Sequence, residues 1–281
     1  MSEIGTGQVV GWAWTNRAEI GRRLADLRAW FRGPGPETES KPGILILGPG
    51  GVGKTTLGRL LAGEYDLLLE SPGDYRESFG IERYSLKDAP EVEVVVPPGQ
   101  HHRREATWTD LHGEIAAGRF RGIILIAAYG YHTIARGRYR DHPLYSGDKD
   151  EFLKALLDQN RADELSVLSQ LVPHLRQGRG RLWMLTLVAK QDLWWPRRTE
   201  VEAHYRQGDY GAELREILGR QDQRQFRHEF AFASLVISNF ATATGERLKP
   251  NAEGYDHQEY GKSLRRLYET AGALKDWETG R

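Results

Sequence analysis

Cysteine is absent from the 281-residue chain, which rules out disulfides and thiolate metal sites alike. Net charge is absent too, since 39 lysines and arginines meet 39 aspartates and glutamates. That balance provides no global pull toward nucleic acid or an anionic membrane, so no nucleic-acid partner is expected. No apolar run approaches the roughly 20 residues that cross a bilayer, and no membrane span is expected. The opening residues, MSEIGTGQVVGWAWTNR, lack a basic start followed by a long apolar stretch and do not read as a secretory signal. Ser2 occupies the position where N-myristoylation needs glycine. These absences together suit a cytoplasmic protein. Internal repeats and low-complexity tracts are also missing.

The length is enough to bury a full core, and it fits one enlarged domain or one domain with an appendage. Residues 1–40 read as a helical extension and linker. Ile20, Leu24, Leu27 and Phe31 recur at helical spacing within 17–32, and GPGPETESKPG (33–43) is a linker by composition. From 41 to 281 the pattern changes to alternating strands and helices. Strands are predicted at GILILG, GIERYSLKD (80–88), EVEVVV (91–96), GIILIAA (122–128), RLWMLTLVAK (181–190) and SLVISNF (234–240). A turn around Ala89-Pro90 would join the second to the third. Helices are predicted from Lys54, over 149–177 with Pro173 kinking or ending it, through most of 199–230, and over 257–276. A helical insertion is expected around 131–180. This alternation implies a three-layer α/β fold, a mostly parallel sheet covered on both faces, with an N-terminal amphipathic helix. Ligands should collect beyond the carboxyl ends of the strands.

Gly48-Pro49-Gly50-Gly51-Val52-Gly53-Lys54-Thr55 matches G-x-x-x-x-G-K-[ST] in full, between a strand and a helix. Glycines let backbone N–H groups turn inward toward phosphate oxygens, and the helix adds its positive end at the same place. Lys54 should reach the β- and γ-phosphates, the Thr55 hydroxyl should ligate Mg²⁺, and Thr56 continues the phosphate-binding run.

Two later segments resemble motifs of the Ras-like and Arf-like small GTPases. Val96-Pro97-Pro98-Gly99-Gln100 resembles that family's D-x-x-G-Q segment, with valine in place of aspartate. It follows Lys54 by 96 − 54 = 42 residues, similar to the family's separation. Ala189-Lys190-Gln191-Asp192-Leu193 resembles N-K-x-D, in the NKQDL form of Arf-like members, with alanine replacing asparagine. The resemblance runs over roughly 43–281. It implies a P-loop NTPase fold, GTP or GDP as ligand, Mg²⁺ as cofactor, and a protein effector or regulator as partner.

Residue by residue, the resemblance makes Lys190 lie along the base and Asp192 accept from guanine's ring N–H and exocyclic amine. Ser238 falls where the family's last base-contacting loop lies, or else simply ends a strand. Ala189 cannot make the asparagine's bonds back to the phosphate loop. The Gly99 amide would contact the γ-phosphate and Gln100 would orient the attacking water, which makes Gln100 and Lys54 the catalytic pair. Val96 removes the carboxylate that steadies a metal-bound water. Period-two alternation places Glu91 and Glu93 on the face opposite Val96, so neither replaces it. Mg²⁺ would rest on Thr55 and a switch hydroxyl, Ser71 in preference to Ser78. Slow or partner-dependent hydrolysis is the expectation, and Pro97-Pro98 should stiffen a segment that normally moves.

Several features stay open. Arg76 reads as a cis arginine finger or a surface arginine. His101-His102-Arg103-Arg104 reads as a basic loop facing a partner or phosphate. Trp194-Trp195-Pro196-Arg197-Arg198 suits an interaction surface or a core anchor. The N-terminal helix packs on the domain or on a partner, or lies on a membrane. A P-loop ATPase of another class is the alternative function, although GIILIAAYGY lacks the acidic strand end such proteins need. A non-hydrolysing nucleotide-binding scaffold is the other, motivated by Val96.

Overall fold

The computed structural model describes residues 43–64, 80–86, 89–134, 137–175, 181–220 and 225–280. The helix expected over 17–32, its linker, and the segment with Ser71, Arg76 and Ser78 lie outside the described residues. β1 (Gly43–Leu47), β2 (Glu82–Leu86), β3 (Ala89–Val96), β4 (Phe120–Ala127), β5 (Leu182–Val188) and β6 (Phe226–Phe232) form one sheet in the order β2-β3-β1-β4-β5-β6. All pairings are parallel except that of β2 with β3. Every residue of β1 and of β5 is buried, as apolar strands covered on both faces must be. Removing each such side chain from water contributes about 1.5–3 kcal/mol.

The helices are α1 (Lys54–Ala62), α2 (His101–Ala116), α3 (Lys149–Leu175), the single turn α4 (Gln191–Trp194), α5 (Arg198–Gln207), α6 (Asp209–Arg220) and α7 (His257–Thr279). α1 packs on β1, β2 and β3, α7 on β5 and β6, and α3 on both α2 and α6. A two-stranded ribbon of β7 (Phe240–Ala241) and β8 (Arg247–Lys249) lies outside the main sheet. The fold is a mostly parallel α/β sheet flanked by helices, as its alternating pattern predicts. Among the described residues no helix is long and apolar enough to cross a membrane.

Topology places the site. β1 lies between β3 and β4, so chain segments leaving β1, β3 and β4 diverge around one crevice at the carboxyl end of the sheet. Such a reversal of strand order is where ligands bind in open α/β sheets.

Three expectations need correction. The last strand is β6, Phe226–Phe232, not SLVISNF, and the helices of the 199–230 stretch end at Arg220. Arg227 and Glu229 pair with each other at 2.9 Å on an exposed face of this edge strand, so its charges conceal its period of two. SLVISNF instead leaves the sheet as a loop, with Ser234 fully buried. Ala89-Pro90 open β3 rather than forming the turn, and Leu86 pairs directly with Ala89. His101–Arg104 are the first turn of α2, not a loop. Pro173 sits inside the last turn of α3, which ends at Leu175.

Gly122 is a position where the sheet's interior leaves no room for a side chain. A Cβ there would stand 2.0 Å from the fully buried ring of Trp183, its partner on β5. Overpacking of this kind costs about 1–3 kcal/mol. Gly122→Ala should lower unfolding stability by that amount in a denaturant titration, and an unchanged midpoint would contradict the packing described.

Candidate functional site

The phosphate loop leaves β1 through Gly48, whose φ of 147° and approach to the Ile126 carbonyl exclude any side chain; a Cβ would stand 2.4 Å from that oxygen. Gly53, at φ 108°, turns the chain into α1, which begins at Lys54. Pro49, Gly50, Gly51 and Val52 make the curve between them, with Val52 buried beneath it. Lys54 is 7% exposed, and its Nζ donates to the Pro49 carbonyl at 2.7 Å across the loop. Burial first, and the Arg104 cation second, lower its pKa to about 7. Thr55 donates its hydroxyl to the Glu82 carboxylate of β2 at 3.0 Å, and Thr56 is half-buried beside it.

The segment after β3 presses onto this loop. A Cβ on Gly99 would lie 2.1 Å from Lys54 Nζ and 2.4 Å from the Gly48 carbonyl oxygen. Gln100 caps α2 with its carbonyl, which accepts the amides of Arg103 and Arg104. Its side chain reaches Gly50, with Cγ 3.4 Å from where a Cβ would stand. Its buried Oε1 has no hydrogen-bond partner.

One turn along α2, Arg104 is 2% exposed. It pairs with Asp163 of α3 through one Nη, while Nε and the other Nη are buried without a partner. The sequence singles it out only within the basic stretch 101–104, read as a loop facing a partner or phosphate. Recognising helix from 101 onward would have placed Arg104 on the face of Gln100, because positions i and i+4 share a face.

At the other end of the crevice, Lys190 takes a left-handed φ of 56° between β5 and α4. Its Nζ donates to the Gly51 carbonyl at 2.9 Å, to the Tyr131 carbonyl at 2.7 Å and to the Thr133 hydroxyl at 3.1 Å. Burial lowers it to about 8, against the pull of Asp192 and Glu164. The Thr133 amide also donates to the Gly51 carbonyl at 3.1 Å. So the segment after β4 ties the phosphate loop down, where Ala189 offers no side chain to do it.

Asp192 is 1% exposed. Its Oδ1 accepts the Ser234 hydroxyl at 2.5 Å, and its Oδ2 accepts the Ser238 amide at 3.1 Å. Burial pushes it up to about 6, opposed by those bonds and by Lys190. Ser238 itself is exposed, and a cleft is lined by Lys190, Ser238, Thr133, Leu193, Asn239 and Phe240. Lys190, Asp192 and Ser238 therefore meet around one loop, with the Asp192 carboxylate behind the cleft wall. Trp194 is a core anchor, its Nε1 donating to the Ala189 carbonyl at 2.9 Å, while Arg198 stacks over the half-buried Trp195.

Glu164 of α3 holds the turn leading to Thr133. It accepts the amides of Ala128 and Gly130 at 2.8 and 3.0 Å, His132 Nε2 at 2.8 Å and the Tyr205 hydroxyl at 2.5 Å. Burial acts to raise this carboxyl, but the bonds from His132, Tyr205 and the Ala128 amide outweigh it and hold it below the usual range.

No protein-family model matches the chain. No curated protein sequence matches it either. Among solved structures it is similar to an ADP-ribosylation-factor-like GTP-binding protein, a small COPII coat GTPase of Encephalitozoon cuniculi in complex with GDP. That likeness has a TM-score of 0.42 at 13% identity, over 96% of this chain and 93% of the other. The signal recognition particle receptor SRb–GTP/SRX complex of Chaetomium thermophilum gives 0.43 at 15% identity, over 83% of this chain and 99% of the other. Toc33 of Arabidopsis thaliana in complex with Mg²⁺ and GMPPNP gives 0.40 at 12%, over 94% of each chain. Likenesses at this level leave the functional argument to the site itself.

A lysine lowered to about 7 gains a proton when an anion is laid against it. Calorimetry of nucleoside triphosphate binding at about pH 8, in buffers of different ionisation enthalpy, should find uptake of close to one proton. Lys54→Ala should abolish the uptake; equal uptake in that variant would remove Lys54 from the phosphate site.

Proposed function

We propose that this chain binds a guanine nucleotide with Mg²⁺, hydrolyses GTP to GDP and phosphate slowly or with a partner's help, and acts as a switch or regulatory subunit toward a protein. The observation that carries the reading is the gathering of Lys54, Gly99 and Gln100 around the phosphate loop, with the Arg104 cation near enough to depress Lys54 and two of its buried guanidinium nitrogens lacking an acceptor. An unpaired buried donor costs about 1–3 kcal/mol, more when charged. Phosphate oxygens are the acceptors that Arg104 and Lys54 together suit. Phosphates would draw Lys54 from the Pro49 carbonyl, the Gly99 amide would face the terminal phosphate, and Gln100 would position water beside it.

The donor set suits Mg²⁺, which takes oxygen ligands and is commonly held by one or two side chains plus phosphates. Thr55 supplies such an oxygen. Among the described residues no group of three or more His, Asp or Glu could hold a metal alone. When bound, the ion neutralises charge building on the phosphate oxygens.

Asp192 supports guanine as the base. A carboxylate oxygen accepts two hydrogen bonds, so guanine's N–H groups would share or replace the Ser238 amide, whereas adenine offers an acceptor where the carboxylate needs a donor. Opening the 234–238 loop is part of this reading. The buried Asp192 and Val96 favour one second reading, a scaffold that holds nucleotide without turning it over.

Purified protein should bind GTP and GDP analogues better than ATP analogues, and Asp192→Asn should shift preference toward xanthine nucleotides. ATP binding equal to GTP binding, or an unchanged preference in the variant, rejects the guanine assignment. Gln100→Leu and Arg104→Ala should each lower single-turnover hydrolysis by about 100-fold, the scale of a positioned catalytic group, while nucleotide still binds. No wild-type turnover, even with partner proteins present, would leave the scaffold reading in place.

A further inference from the structure

Val96, at the end of β3, is fully buried and has no group to offer a metal or its water. Directly across the antiparallel pair its register partner is Glu82 of β2. Residues opposite each other in such a pair project on the same face of the sheet. The Glu82 carboxylate thus rises beside Val96, and its Oε2 accepts the Thr55 hydroxyl at 3.0 Å and the Tyr84 hydroxyl at 2.7 Å. Glu93 of β3 faces the other way, where it pairs with Arg83 at 2.7 Å and lies near Arg119. A carboxylate therefore stands opposite Val96, one strand outward on β2.

The surrounding packing sets this position. Gly58 of α1 lets the Tyr84 ring and Val96 approach closely; a Cβ there would stand 2.7 Å from Tyr84 and 3.2 Å from Val96. That contact holds β2 against α1, one turn after Thr55. Tyr84 then fixes the carboxylate from the side, and the negative charge is close enough to favour the protonated Lys54 ammonium. Hydroxyl and carboxylate are both hard oxygen donors of the kind Mg²⁺ takes.

We propose that Glu82 is the metal-site carboxylate of this chain: by accepting the hydrogen bond of the Thr55 hydroxyl it would leave that oxygen's lone pair for Mg²⁺, and it would be placed to accept a hydrogen bond from water on the ion. The inference rests on the nucleotide–Mg²⁺ reading above and adds the residue that answers the missing acid at position 96. Groups that orient a metal's direct ligands typically contribute 10–100-fold to metal affinity. Glu82 is a positioning residue in this scheme, and its effect belongs in metal affinity.

The test is release of a fluorescent N-methylanthraniloyl nucleotide, GDP or ADP, whichever the wild type holds, across a Mg²⁺ titration with excess EDTA as reference. Mn²⁺ spin resonance reads metal occupancy independently. Glu82→Gln should raise the Mg²⁺ concentration at half-effect by about tenfold or more and free bound Mn²⁺. Tyr84→Phe removes one bond to the same carboxylate and should shift it the same way by less; it serves as the test if Glu82→Gln fails to fold. Wild-type Mg²⁺ dependence in the folded variant overturns the proposal. Nucleotide binding by the wild type with no Mg²⁺ effect also overturns it, while leaving nucleotide binding intact. No binding of either nucleotide rejects the underlying reading, and this inference with it.

Discussion

Gly99 lies so near the phosphate loop that no Cβ fits between its backbone and the Lys54 ammonium. Glycine is required there by contact, since Gly48 and Pro49 close the other side of the same gap. The contact locks the exit of β3 to the exit of β1, and α2 begins two residues later. Gln100 and Arg104 are consequently delivered to the loop by backbone geometry before any side-chain choice is made. Pro97 and Pro98 stiffen the approach, and the Pro98 carbonyl is held by Trp108 Nε1 at 3.2 Å.

Charge follows from that arrangement. Two buried cations near one another are costly in a low-dielectric interior unless anions accompany them. Asp163 takes part of Arg104, and Glu82 lies on the Thr55 side. Burial, with the Arg104 cation adding to it, depresses Lys54, and two guanidinium nitrogens stay unanswered. The proposed nucleotide would bring its phosphate oxygens to these donors. The other end of the crevice obeys a different rule, in which Lys190 and Thr133 are spent on holding the loop and Asp192 on holding residues 234–238.

The phosphate loop was legible because its signal is local: glycines, lysine and threonine at fixed spacing between a strand and a helix. The buried strands were legible too, since continuous apolar runs such as LWMLTLV have few other fates. β6 escaped because one face of an edge strand carries Arg227 and Glu229, which read like a charged helix. SLVISNF misled for the converse reason, its apolar residues packing under a loop whose Leu235 carbonyl accepts the Tyr260 hydroxyl at 2.9 Å. Arg104 stood out only as one of four basic residues, because a loop reading of 101–104 gives no helical face that would set it apart from Arg103. Glu82 escaped because alternation along β3 speaks only for β3, whereas cross-strand register decides which side chains share a face. Glu164 could not be found at all from local pattern, because its four donors come from segments far away in sequence.

The adjacent acids Asp163 and Glu164 give α3 a double hold. One grips Arg104 on α2, and the other grips the turn whose far end reaches the phosphate loop through Thr133. A single helix thereby joins the flank that would sense the terminal phosphate to the flank that braces the loop from behind. Both grips depend on the seat of that one helix. A protein leaning on that helix from outside would therefore handle both flanks through one lever, without entering the crevice.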